Sequence, residues 1–183
     1  MGNPEGEYGG TRHNLGADTV ALLAARHGER LKRGRERALV AEAKADGRRL
    51  ALAFPQTYVN DSGLAVAALV RRFGIEDLQR LVVVHDELDL PVGLVKVKVG
   101  GGTAGHNGLK SIQAHLHDNG FVRVRIGVDK PPGRRQGADH VLRRPSKVER
   151  EALEVAVEVA ADAVEAILTE GPEAAMNMFN TRD

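Results

Sequence analysis

Three histidines and one aspartate have the most chemistry to offer in this sequence: His13, His85, His106 and Asp86, in the company of Asn3, Asn60 and Asn107. A neutral imidazole can take a proton from water near pH 7. A buried carboxylate on its other nitrogen fixes the tautomer and stabilises the imidazolium. Asparagine amides supply neutral donors for a developing oxyanion and acceptors for a peptide or a water. No serine stands in a Gly-x-Ser-x-Gly elbow and there is no cysteine, so attack by an activated water is the favoured hydrolytic chemistry. The three histidines and Asp86 also suit a divalent ion, as a metallohydrolase would need. None of them has the helical His-x-x-x-His spacing, however, and no metal is expected.

These residues sit in polar islands at the ends of expected strands or the starts of expected helices. The most distinctive island is GGGTAGHNG at 100–108, where four glycines in six residues precede His106 and Asn107. Glycine lets the backbone take positive φ and approach a bound group closely. The island follows VKVKV at 95–99, a period-two strand with one wet face, and leads into a helix over about 109–116. The string Gly100-x-Gly102-x-x-Gly105 also fits the dinucleotide fingerprint. That fingerprint calls for a buried apolar strand before it and an acid roughly 20 residues on. The preceding strand alternates with lysine and the later position holds Arg125, so a dinucleotide site is not favoured.

The remaining elements read in order. Residues 1–16 are loop-like, and a helix spans about 17–27. Strands at 39–43 and 49–53 flank a turn at Asp46-Gly47, with Pro55 stopping the second. Asp61 or Ser62 caps a helix over 64–73 that Gly74 ends. The apolar run 81–84 is a buried strand that delivers His85 and Asp86. FVRVRIGV at 121–128 alternates as a strand, and 131–137 is a basic loop. Apolar residues at three- and four-residue steps make 147–170 the longest helix. Strands alternating with helices, with neither a repeat nor a long linker, predict one α/β domain over 1–183 around a mixed sheet.

At 42% hydrophobic and 28% charged residues, the composition is that of a soluble globular chain. No apolar run approaches the ~18 residues of a membrane span, and no basic-then-apolar leader opens the sequence. The absence of cysteine excludes disulfides and thiolate metal sites and is compatible with a reducing cytoplasm. With a net charge of +1, a nucleic-acid face must come from patches. Residues 26–37 (RHGERLKRGRER) form one, and Arg134, Arg135, Arg143, Arg144, Lys147 and Arg150 form another. Acidic residues gather at 149–165. This separation of signs favours a polyanionic partner over a merely solvated face.

Taken together, Asn3-Pro4, Tyr8, TRHN at 11–14 with Gly16, and PQTYVNDSG at 55–63 resemble bacterial peptidyl-tRNA hydrolases. So do HDELDLP at 85–91, the glycine island through Leu109, RVRIG at 123–127, and the tail around Ala175 to Asn180. The similarity follows the family's order over nearly the whole chain. It implies a single-domain α/β/α sandwich with a mixed central sheet. It also implies a cofactor-free, metal-free esterase that cleaves peptide from tRNA and recycles both, expected as a cytoplasmic monomer with no membrane partner. By the same resemblance, His13 is the general base and Asp86 orients and polarises it. Asn107 positions the water or the peptide carbonyl. Asn3, Tyr8, Tyr58, Asn60 and His106 contact the substrate along the cleft, and Lys98 and Arg125 hold a tRNA phosphate. A lid is expected at about 137–142.

The sequence departs from the family at several positions. The family's hydrophobic strand ending in GLGNPG has no counterpart before Asn3-Pro4, which predicts two exposed sheet neighbours. Glu5 and Asp129 replace glycines, Val59 a usual methionine and Phe54 a usual lysine. A second reading is therefore a non-catalytic RNA-binding module of the same fold. Release of free peptide from peptidyl-tRNA separates the two.

Overall fold

The alternating stretch on either side of Asp46-Gly47 folds as an antiparallel hairpin. Strands β2 (Ala38–Ala45) and β3 (Arg48–Pro55) pair from Ala38 opposite Pro55 to Ala45 opposite Arg48. Asp46 and Gly47 take φ of 51° and 74°, the double positive φ of a type I′ turn. A two-residue strand, β1 (Lys32–Arg33), adds to the free edge of β2. The computed structural model describes residues 1–4, 9–133 and 137–181.

A second ladder carries the chemistry. It consists of β4 (Val82–Glu87), β5 (Val95–Val99) and β6 (Val122–Gly127), in the order β4-β6-β5. Strand β6 runs parallel to β4 and antiparallel to β5, so the sheet is mixed as expected. Val122, Val124 and Ile126 of this middle strand are fully buried.

Helices cover both faces. Val84, Val124 and Ile126 pack against α1 (Leu15–Arg26) through Leu15 and Leu23, and against α5 (Lys147–Glu170) through Leu153, Ala156 and Ala160. Val83 and Phe121 meet Val66 of α2 (Ser62–Arg72) and Leu109 and Ile112 of α3 (Asn107–Leu116). The arrangement is the predicted α/β/α sandwich. The two ladders share no strand pairing among the described residues. Helix α1 packs on both β3 and β4, and Ala41 and Leu52 of the hairpin join the same core as Val84. Met1 lies alongside β4: its ammonium donates to the Val84 carbonyl at 2.6 Å, and its own carbonyl accepts from the Ala17 amide at 3.2 Å. Burial pushes that amine down to about 6.

Several boundaries differ from the sequence reading, each for a local reason. Strand β4 continues through His85 and Asp86 to Glu87, because the parallel ladder with β6 runs on past the apolar stretch, pairing His85 with Arg125, Asp86 with Ile126 and Glu87 with Gly127. Helix α2 starts at Ser62, yet Asp61 gives no side-chain cap; the Ser62 hydroxyl instead donates to the Val59 carbonyl at 2.7 Å. The short helices α4 (Gly137–Val141) and α6 (Pro172–Phe179) were not anticipated. Helix α5 begins with a capping box in which Ser146 and Glu149 satisfy each other's backbone amides. Charge is less segregated than the sequence suggests, since Arg26 inserts between Glu158 and Asp162 at 2.7 and 2.8 Å. Among the described residues, no helix is long and apolar enough to cross a membrane.

Candidate active site

The C-terminal end of β4 opens into a cleft of about 290 Å³ lined by Asn3, His13, Tyr58, Asn60, Asp86, Glu87, His106, Asn107 and the α4 segment. Four elements converge there. The three-residue 3₁₀ turn Arg12–Asn14 carries His13, β4 carries Asp86, and the glycine loop carries His106 into the start of α3. A second 3₁₀ turn, Val59–Asp61, brings Asn60. Asn3, His13, Tyr58, Asn60, Asp86, His106 and Asn107, distant in sequence, thus share one cavity, at the strand end where open α/β sheets place ligands.

Asp86 is 2% exposed and sits at the centre of a hydrogen-bonded set. His13 Nδ1 lies 2.9 Å from both carboxylate oxygens, and His106 Nε2 lies 3.0 Å from Oδ1. The partners assign the tautomers. His106 Nδ1 accepts the backbone amides of Gly108 and Leu109 at 3.1 and 3.3 Å, so the proton resides on Nε2 and is donated to Asp86. His13 donates through Nδ1, which leaves Nε2 as the lone-pair nitrogen. Burial opposes ionisation of Asp86, but the neighbouring imidazoles, His106 first and then His13, and the hydrogen bonds they donate outweigh it, holding the carboxyl well below its usual range. The third imidazole, His85, is fully buried and donates from Nδ1 to the Asp86 backbone carbonyl at 2.8 Å. Burial first, and then the neighbouring His106 imidazole, push its pKa down to about 3. It packs edge-on to the His106 ring with centroids 5.1 Å apart as a neutral neighbour.

The ligand atoms of His13, Asp86 and His106 all lie within 4.8 Å of one another, the grouping a divalent ion would use. The tautomer argues against that use. A metal-bound histidine donates a proton from its other nitrogen, whereas His106 Nδ1 is already an acceptor of two amides. The three residues fit a proton-handling triad and do not fit a metal.

The asparagines divide into two kinds. Asn3 is 5% exposed, and its Oδ1 accepts the Val59 amide at 2.8 Å. Asn14 grips the Asn3 backbone from both sides, accepting from its amide at 2.8 Å and donating to its carbonyl at 2.9 Å. Asn3 can therefore offer the cleft only its Nδ2 amino group. Asn60 and Asn107 are exposed on the cleft wall, where their side-chain amides make no hydrogen bond among the described residues. Tyr58 stands at the mouth, 61% exposed. Tyr8, and with it Arg134 and Arg135 of the basic loop, lie outside the described residues.

Lys98 and Arg125 do not line the cleft. They occupy neighbouring strands on one face, Lys98 opposite Arg123 and Lys96 opposite Arg125. Arg125 approaches Glu87 at 3.6 Å. Lys98 lies on the glycine loop, where a Cβ on Gly101 would meet its Nζ at 2.6 Å. The sequence reading missed three residues that hold this frame. Asn14 clamps Asn3, Arg12 ties the His13 turn to the far wall, and Arg123 grips the Gly101 and Gly102 carbonyls at the root of the loop. Arginines and an asparagine at such low exposure (2–6%) must bond internally, but burial cannot be read from residue type.

Comparison with known proteins gives the family and the fold. The family model described as peptidyl-tRNA hydrolase matches residues 1–183. A peptidyl-tRNA hydrolase of Rubrobacter xylanophilus is 50% identical over 185 residues, covering 100% of this chain and 98% of that protein. One from Frankia casuarinae is 48% identical over 180 residues, covering 98% and 91%. The crystal structure of peptidyl-tRNA hydrolase from Acinetobacter baumannii superimposes with a TM-score of 0.93 at 33% identity, covering 100% of this chain and 92% of that one. The chain belongs to the peptidyl-tRNA hydrolase family and is an enzyme of that class.

Proposed function

We propose that the chain hydrolyses the ester between peptide and tRNA by direct attack of water, with His13 as the general base. The observation that carries this reading is the His13–Asp86 pair in the cleft, with Nδ1 tied to the carboxylate and Nε2 left basic. His13 Nε2 takes a proton from water as the oxygen adds to the acyl carbon. Asp86 orients the ring and stabilises the imidazolium. The tetrahedral oxyanion draws on neutral amide donors, for which Asn107 and the free Nδ2 of Asn3 are the candidates. Collapse breaks the ester bond, and the proton held by His13 passes to the leaving ribose oxygen. The products are a peptide carboxylate and tRNA, which is thereby recycled.

Asn60, Tyr58 and Tyr8 are proposed to hold the peptide backbone and the 3′ end. Lys98 and Arg125 are proposed as the phosphate contacts; their position beyond the cleft suits a polymer that reaches past the reacting end. The substrate arises from translation, which puts the activity in the cytoplasm, and one chain supplies every residue named, in keeping with a monomer. Incubation with a peptidyl-tRNA tests the reading. Multiple turnovers releasing free peptide and intact tRNA are expected; saturable binding with no product would leave only an RNA-binding module.

A further inference from the structure

Arg12 is next to His13 in the same turn but is engaged elsewhere. It is 6% exposed. Its Nη1 donates to the carbonyls of His140, Arg143 and Arg144 at 3.3, 3.1 and 3.4 Å, and its Nη2 donates to both oxygens of Glu149 at 3.1 and 3.0 Å. Its backbone amide adds a bond to the Arg143 carbonyl at 3.4 Å. Residues 140–144 form the exit from α4, and Gly137, Ala138, Val141 and Leu142 of that segment are a wall of the cleft. Glu149 is itself fixed. It accepts the Ser146 amide at 2.8 Å as part of the α5 capping box, and the bonds to Ser146, followed by Arg12, hold its carboxyl down to about 2. One guanidinium therefore joins the turn that carries His13, the end of the opposing wall and the first turn of the longest helix.

An ion pair with one buried and one half-buried member, as here, is a poor way to gain stability, because desolvation offsets much of its attraction. What the planar fork supplies is direction, since its donors can point at several carbonyls and a carboxylate at fixed angles. We propose that Arg12 is a positioning residue that sets the separation between His13 and the α4 wall, and so the room in which the acyl group meets the attacking water. The proposal rests on His13 being the base.

The test compares wild type with Arg12→Ala, Arg12→Lys and Glu149→Gln in two measurements, peptide release and amide hydrogen exchange. Loosening the wall should raise exchange across 138–144 while leaving β4 and β6 protected. It should lower kcat by about ten- to a hundred-fold, the scale of a misplacement near 1 Å, with KM little changed. Arg12→Lys keeps the charge without the fork and should resemble Arg12→Ala. Glu149→Gln keeps an acceptor for Ser146 and should fall between. Wild-type exchange and kcat in both Arg12 variants would overturn the proposal. So would a loss of activity that merely tracks the unfolded fraction and disappears on cooling; Glu149→Gln covers the case in which the Arg12 variants do not fold. If wild type released no peptide, the hydrolase reading would fail, while the exchange measurement would still report on Arg12.

Discussion

Asp86 accepts a hydrogen bond from each of two imidazoles, and those imidazoles differ in what else they do. His13 has a free nitrogen, whereas both nitrogens of His106 are committed, one to Asp86 and one to the first amides of α3. His106 is thus both a helix cap and an anchor for the carboxylate. Substitution can separate these duties. Asparagine is a good N-cap but is too short to reach from the cap to Asp86. His106→Asn should melt within a few degrees of wild type and yet lose at least about ten-fold in peptide release, the order expected when a catalytic hydrogen-bonded set is disordered. His106→Ala loses the cap as well, about 1 kcal/mol of stability. Equal turnover in His106→Asn and wild type would leave His106 as a cap alone, the rim residue that the sequence suggested.

At the scale of elements, the site depends on close approaches that only certain residues permit. Helices α2 and α3 cross at Gly63, where a Cβ would lie 2.2 Å from the Ser111 carbonyl oxygen. The Ser111 hydroxyl meanwhile accepts the Gly63 amide at 3.0 Å. Gly63→Ala must push α3 away. It should destabilise the protein by roughly 1–3 kcal/mol, as overpacking does, read as a fall in melting temperature; an unchanged melting temperature would deny the contact. Elements with a long periodic signal were legible in the sequence. The apolar steps of 147–170 match α5 to the residue, and Asp46-Gly47 marks the hairpin turn. Helices α4 and α6 have five and eight residues, too few turns for a repeating stripe to stand out. The Gly171-Pro172 start of α6 was a usable signal, since proline favours the first helical turn. For the site, His13 and Asp86 stood out as candidates from a motif, and the structure brings the two into one cleft. The roles of Arg12, Asn14 and Arg123 were not legible, because each depends on a partner distant in sequence.

Across the whole molecule, one core runs from the hairpin through α1 to the mixed sheet, and within that fold lies a histidine that burial keeps neutral. His85 has a folded pKa of about 3 against an ordinary 6.5. As pH falls below about 6.5, the unfolded chain takes up a proton that the folded one refuses, so stability present above that pH is lost progressively down to about 3. The shift corresponds to an order of a few kcal/mol. His85→Gln cannot take the proton, and denaturant unfolding across pH 6.5 to 3 should show a shallower decline than wild type. Parallel curves for the two proteins would mean that His85 does not resist protonation.

The central claim is that His13 draws the proton from the attacking water while Asp86 holds its far nitrogen. Single-turnover cleavage of peptidyl-tRNA by His13→Ala, measured beside the affinity of the same variant for tRNA, tests it most directly. The account predicts that peptide release falls by at least about a hundred-fold, the scale of a lost general base, while affinity stays near wild type because the proposed phosphate contacts, Lys98 and Arg125, lie outside the cleft. Peptide release at the wild-type rate from His13→Ala would contradict it.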